Sequence, residues 1–186
     1  MDKQWQECLS FKSVEPLEEE ESLKVRAGVK PERILRSRCV QRDKNSDQRT
    51  AENDLRLKAK ARLAIAVQDC PDARSDFLRT DAPTVQRTSG LRRLQVAANL
   101  DWLGTLKVGD ISSAFLQGRP REVDDPICME QPRGYQLPGR ASSRCLIKVL
   151  KGVFGLPDAL RAWWAELSRA LTKDLKFEQS QLDQAF

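Results

Sequence analysis

The stretch that most limits what this chain can fold into is residues 103–118. Leu103, Leu106 and Val108, with Thr105 and Lys107 between them, read as a strand. The run reaches Gly109 and hands a single carboxylate, Asp110, to the small residues Ser112, Ser113 and Ala114. A carboxylate at a strand end beside small side chains is what a divalent-cation phosphoryl-transfer site needs. The hard cation takes oxygen ligands on a rigid element, and small neighbours leave room for a triphosphate. The same residues also suit a turn or a helix cap, so on their own they allow both readings.

Composition narrows the chemistry further. The 186 residues contain no histidine, which excludes Ser-His and Cys-His nucleophile pairs and any zinc site built on imidazole. The five cysteines, Cys8, Cys39, Cys70, Cys128 and Cys145, are odd in number and lack C-x-x-C spacing. They read as reduced structural thiols in an intracellular protein, cytoplasmic or nuclear. No stretch approaches the roughly 18 apolar residues of a membrane span, and the opening residues lack the apolar core of a signal peptide. The formal charge of +5 is compatible with a polyanionic partner.

Residues 1–28 read as a charged, partly disordered N-terminal arm, with the acidic run 15–21 suited to a helix start. Residues 30–62 are rich in cations and hold two β-compatible runs, 34–41 and 60–67, separated by the turn residues 43–48. In a strand, Lys58, Lys60 and Arg62 would share one face, although periodicity alone leaves residues 50–67 open between strand and helix. Thr88-Ser89-Gly90 offers caps for a helix with Leu91, Leu94, Ala97 and Ala98 on one side. Asp124 and Asp125 before Pro126 read as turn residues. One strand follows from Ile127 and another at 144–150. Pro157 suits the start of a helix in which Leu160, Trp163, Trp164, Leu167 and Leu171 recur at helical spacing and read as core.

Several of these segments, in order, resemble the copia-type retrotransposon reverse transcriptases. Residues 108–118 (V-G-D-I-S-S-A-F-L-Q-G) resemble the family's Q-M-D-V-K-T-A-F-L-N-G. Residues 127–135 (I-C-M-E-Q-P-R-G-Y) resemble I-Y-M-E-Q-P-E-G-F, and residues 145–156 resemble C-R-L-K-K-S-L-Y-G-L. Arg161-Ala162-Trp163-Trp164 resembles R-A-W-Y, and Lys60-Ala61-Arg62-Leu63-Ala64 stands where the family has K-A-R-L-V-A on a fingers strand.

The resemblance implies an α+β chain with an incomplete right-hand polymerase fold: antiparallel palm strands with packed helices. Residues 29–100 would be fingers-like, and 101–186 a partial palm ending before the Y-x-D-D hairpin. It implies an RNA-directed DNA polymerase that joins a primer hydroxyl to a deoxynucleotide through two Mg²⁺ ions. Asp110 would be the catalytic metal ligand, with the backbone carbonyl of Ile111. Lys60, Arg62 and Phe115 would hold the nucleotide, Phe115 excluding a 2′-hydroxyl. Lys58, Gly155 and Arg161 would face the RNA template and DNA primer, within a retrotransposon polyprotein. Trp5 is placed like a tryptophan ahead of the family's fingers.

The sequence departs from the family at several points, among them Cys39 in place of a tryptophan and the loss of glycine and glutamine landmarks in the fingers. Asp81 replaces a phenylalanine, at a cost in burial or by turning its loop outward. Asp158 replaces a glutamine, as an acid that would repel phosphates, and Leu160 replaces a proline. Residues 182–186 resemble the segment before the Y-x-D-D hairpin, and no such tetrapeptide occurs in the sequence. The expectation is a chain that does not polymerise alone. The alternatives are a nucleic-acid-binding remnant without chemistry and a product with no biochemical role.

Overall fold

The computed structural model describes residues 2–186 apart from 51–52, 67, 69, 75–77, 79, 122–125, 135, 137, 139–143, 182 and 184–186. The Asp124–Asp125 turn, Tyr135 and most of the segment resembling the approach to Y-x-D-D lie outside the described residues. The described chain is mixed helix and sheet. Helices α1 (Asp2–Ser10), α2 (Glu19–Gly28), α3 (Arg87–Asn99) and α4 (Ala159–Arg169) accompany strands β1 (Val14–Pro16), β2 (Ile34–Leu35), β3 (Ser37–Asp43), β4 (Ala59–Ile65), β5 (Ile127–Met129) and β6 (Ile147–Val149).

One four-stranded sheet runs in the order β1-β6-β5-β2. Its β1–β6 and β6–β5 pairs are antiparallel, but β2 joins β5 in parallel. The strands therefore come from all three expected segments, and these share one core instead of forming separate bodies. Trp5, Val14, Leu35, Leu63, Leu116, Met129, Ile147 and Leu156 belong to a single buried cluster.

The charged arm is the first correction. Trp5 and Cys8 of α1 are 2% and 1% exposed, so the apolar residues scattered through this charged segment anchor it in the core. Glu18 N–H donates to Glu21 Oε2 at the start of α2, as the acidic run suggested. On the same helix Ser22 is buried, and its Oγ accepts from the N–H of Leu146 at 2.8 Å. That bond ties α2 to the end of the sheet.

The basic region folds as the strand reading expected. β3 and β4 pair antiparallel from Ser37↔Ile65 to Asp43↔Ala59. The turn is held by Asp43, whose carboxylate accepts from the N–H groups of Asn45 and Lys58 and from Arg49. These bonds hold its pKa below the ordinary carboxylate range, the Asn45 amide contributing most. Leu63 and Ile65 are buried while Lys60 and Arg62 face the other side.

The Asp110 strand does not form. Residues 103–105 make a short 3₁₀ turn and 106–110 run irregularly, with Val108 fully exposed. A strand needs a neighbour to take its backbone donors and acceptors, and none of the described strands lies beside this one. α3 does form over the expected residues, but Leu91 and Leu94 stay half exposed and only Ala97 is buried. Along α4, Trp163 and Trp164 are half-buried, not core, and Leu160 is exposed.

Candidate nucleotide-binding cleft

Asp110 sits in the loop that enters a short 3₁₀ turn, Ala114–Gln117. Ser113 caps that turn in the left-handed region, at φ 54° and ψ 36°. For a residue with a Cβ this costs roughly 1–2 kcal/mol, so the position must be held from outside. Beyond the turn, Gly118 is buried because α4 crosses it. A Cβ there would lie 3.2 Å from the backbone of Ala162 and Trp163. The glycine that closes the motif makes room for a helix rather than for a ligand.

β4 lies across from this loop, and between them opens a cleft of about 620 Å³. Lys58, Lys60 and Arg62 line one wall, and Asp110, Ile111 and Phe115 the other. The neighbouring Arg62 charge, then desolvation, then Lys44 push the Lys60 ammonium below its ordinary value, while Asp110 pulls it back. Crowded cations of this kind gain most from an anion. Phe115 meets Phe154 edge to face at 5.2 Å, and the Arg62 guanidinium lies 4.9 Å above the Phe154 ring. That stack fixes the fork of Arg62 at the cleft floor.

Two expected template contacts lie elsewhere. Gly155 has φ +93°, and a Cβ on it would come within 2.1 Å of the Ile65 carbonyl oxygen. The Ile65 N–H donates to Phe154 O at 2.8 Å, so this glycine lets the turn close against β4. Arg161 stacks over Trp164 at 4.6 Å and reaches the Asp81 carboxylate at 3.4 Å. Asp81, on an exposed loop as its charge demanded, thus meets the arginine expected to face the template.

Asp158 needs a firmer correction. Its carboxylate takes both oxygens to Arg121 Nη1 at 2.5 Å, and Arg121 Nη2 reaches Asp72 at 2.8 Å. Asp72 also accepts from Arg33 at 2.6 Å. With Arg121 side-chain exposure at 5%, Asp158 is neutralised inside a chain of alternating charges, and it does not stand free to repel phosphates. Asp183 is likewise accounted for: it is buried, and its carboxylate accepts from the Gln86 N–H that opens α3.

Sequence reasoning missed Lys3, Gln4 and Glu7 of α1, and Lys44 after β3, all of which line the cleft. Nothing local in residues 2–10 marks them as site residues, because the contacts of Gln4 and Glu7 reach Leu63 and Ser113, 59 and 106 positions along the chain. Divalent cations fit this cleft poorly. Among the described residues no group of three or more His, Cys, Asp or Glu could hold a metal ion. The other carboxylate on the cleft, Glu7, is already bonded to Ser113. Asp110 and a carbonyl fall short of the oxygen ligands that paired ions take.

The cleft is thus lined by the cations Lys58, Lys60 and Arg62, by the carboxylates Asp110 and Glu7, and by the paired rings of Phe115 and Phe154. Comparison with known proteins gives the family. Residues 24–186 match the family described as reverse transcriptase (RNA-dependent DNA polymerase). The chain is also similar to the retrovirus-related Pol polyproteins of Arabidopsis thaliana transposons RE1, 34% identical over 96 residues, and RE2, 34% identical over 92. These alignments take in 52% and 50% of the chain but 6% of each polyprotein. No solved structure matches it. The chain belongs to the reverse transcriptase family, as a fragment of the copia retrotransposon type. No helix among the described residues is long and apolar enough to cross a membrane.

Proposed function

We propose that the cleft binds the triphosphate of a deoxynucleotide and that this chain forms the nucleotide side of a right-hand polymerase. Residues 29–100 would serve as fingers and 101–186 as part of the palm. The observation that carries the reading is that Lys58, Lys60 and Arg62 line the same cleft as Asp110 and Phe115. In this reading Lys60 and Arg62 neutralise the phosphates, Arg62 with its forked donors. Phe115 packs under the sugar and disfavours a 2′-hydroxyl. Asp110 and the Ile111 carbonyl face the reacting phosphate and would be this chain's share of a Mg²⁺ site whose other ligands the cleft lacks. Lys58 and, outside the cleft, Gly155 and Arg161 are proposed to meet the RNA template and DNA primer.

On its own the chain is proposed to bind without extending a primer, since removing even one electrostatic stabiliser costs about 10²–10³ in rate. Binding of dTTP by calorimetry at low and high salt tests the reading. Binding should weaken with salt, persist in Asp110→Asn, and be lost in the Lys60→Glu/Arg62→Glu double variant. Binding that ignores the charge reversal would overturn it.

A further inference from the structure

Helix α1 precedes the residues matched to the family, yet it grips the Asp110 motif. The Ser113 Oγ–H donates to Glu7 Oε2 at 2.6 Å. Three residues after α1, the buried Ser13 Oγ–H donates to the Leu116 carbonyl at 2.9 Å. Gln4 Oε1 accepts from the Leu63 N–H at 2.6 Å, on the strand that carries Lys60 and Arg62. One short segment therefore holds both walls of the cleft.

We infer that Glu7 is a positioning residue of the nucleotide site. It pins Ser113 in the left-handed conformation and thereby sets how Asp110 and Phe115 face the cleft. The inference rests on the nucleotide-binding reading above. Its physical basis is the strain at Ser113. A side chain at φ 54° would relax towards the right-handed basin unless bonded, and relaxation would swing Asp110 and Phe115 on either side of it. The hydroxyl supplies the handle and the Glu7 carboxylate the anchor. A bond between a hydroxyl and a carboxylate is among the stronger hydrogen bonds. The N-terminal segment thus adds a positioning element to the family's site, and Ser113 is a serine because it needs a donor there.

The test compares two probes and a rescue. dTTP senses both the cations and the Phe115–Asp110 wall, whereas inorganic tripolyphosphate senses the cations alone. Glu7→Ala should weaken dTTP about fivefold to tenfold, the worth of one such bond, and leave tripolyphosphate within about twofold. The double variant Glu7→Ala/Ser113→Gly should recover dTTP binding, because glycine adopts the left-handed conformation unaided. In parallel, hydrogen exchange of residues 113–118 should quicken in Glu7→Ala and slow again in the double variant.

Equal dTTP binding in Glu7→Ala and the unaltered chain would overturn the inference. So would equal loss of both probes, or failure of the glycine rescue. If the unaltered chain binds neither probe, the nucleotide-binding reading fails. The exchange result then decides whether Glu7 holds the Asp110 loop at all.

Discussion

Residues 2–16 meet the Asp110 loop across the fold and residues 87–111 lead into it along the chain, and the two stand on opposite terms with water. In the first, Trp5, Cys8 and Val14 are 3% exposed or less. In the second, Leu91, Leu94, Val96, Leu103 and Leu106 are each at least half exposed. Composition does not separate them, since the buried segment is the more charged. What differs is a place to dock. α1 found β4 and the 113–116 turn, and β1 found β6, whereas no described strand pairs with residues 103–108. Apolar surface left open along one such stretch is the sort that marks an interaction face.

The largest test strikes the packed side at its charges. Arg121→Met would leave Asp72 and Asp158 buried without their shared cation, and removing one partner of such a pair costs about 3–5 kcal/mol. Urea unfolding should show that loss. A change below about 1 kcal/mol would mean the charge chain is solvated and the contrast between the regions overdrawn. Gly155→Ala comes next. Its Cβ would collide with the Ile65 carbonyl at a positive φ, for a loss of about 1–3 kcal/mol. An unchanged unfolding midpoint would show that the turn is not seated on β4.

A pH test sharpens the same side. Burial above all, with the Glu7 charge second, pushes the Cys8 thiol from 9.0 up to about 12. A raised value favours the protonated thiol in the fold. Its contribution is therefore whole below pH 9.0 and lost as pH climbs towards about 12. Urea midpoints should fall across that window, and the fall should shrink in Cys8→Ala. An identical slope in the variant would place Cys8 in contact with solvent.

What could be read in the sequence divides along the same line. β5, β6, α3 and α4 were legible because turn residues and periodicity are local signals, whereas periodicity left β4 open between strand and helix and the family resemblance decided it. The family motifs brought Lys60, Arg62, Asp110 and Phe115 to one cleft. Three things were not legible. The docking of α1 depends on partners such as Leu63 and Ser113, far along the chain. The roles of Asp81 and Asp158 depend on which arginine each would meet, and only the fold brings Arg161 and Arg121 to them. The Asp110 strand failed because alternation in a sequence specifies a face but does not supply the neighbour that face requires.

The smallest effect is also the most telling. If the α3 face is open to water, replacing Leu91 and Leu94 with glutamine removes nothing that folding buries. Glutamine is as good a helix former as leucine, so the change in unfolding free energy should stay within about 0.5 kcal/mol. Leu63→Ala in the shared core should instead cost about 2–5 kcal/mol. The same double variant should lower self-association in sedimentation, because the apolar patch is what neighbouring molecules would share. A core-sized loss at Leu91 and Leu94 would mean that α3 packs on something in solution. The two regions would then differ in which partner covers them and not in whether they are covered. Little change in stability together with reduced association would tie the difference to the missing neighbour of residues 103–108, leaving the Asp110 loop gripped from the α1 side and bare on the other.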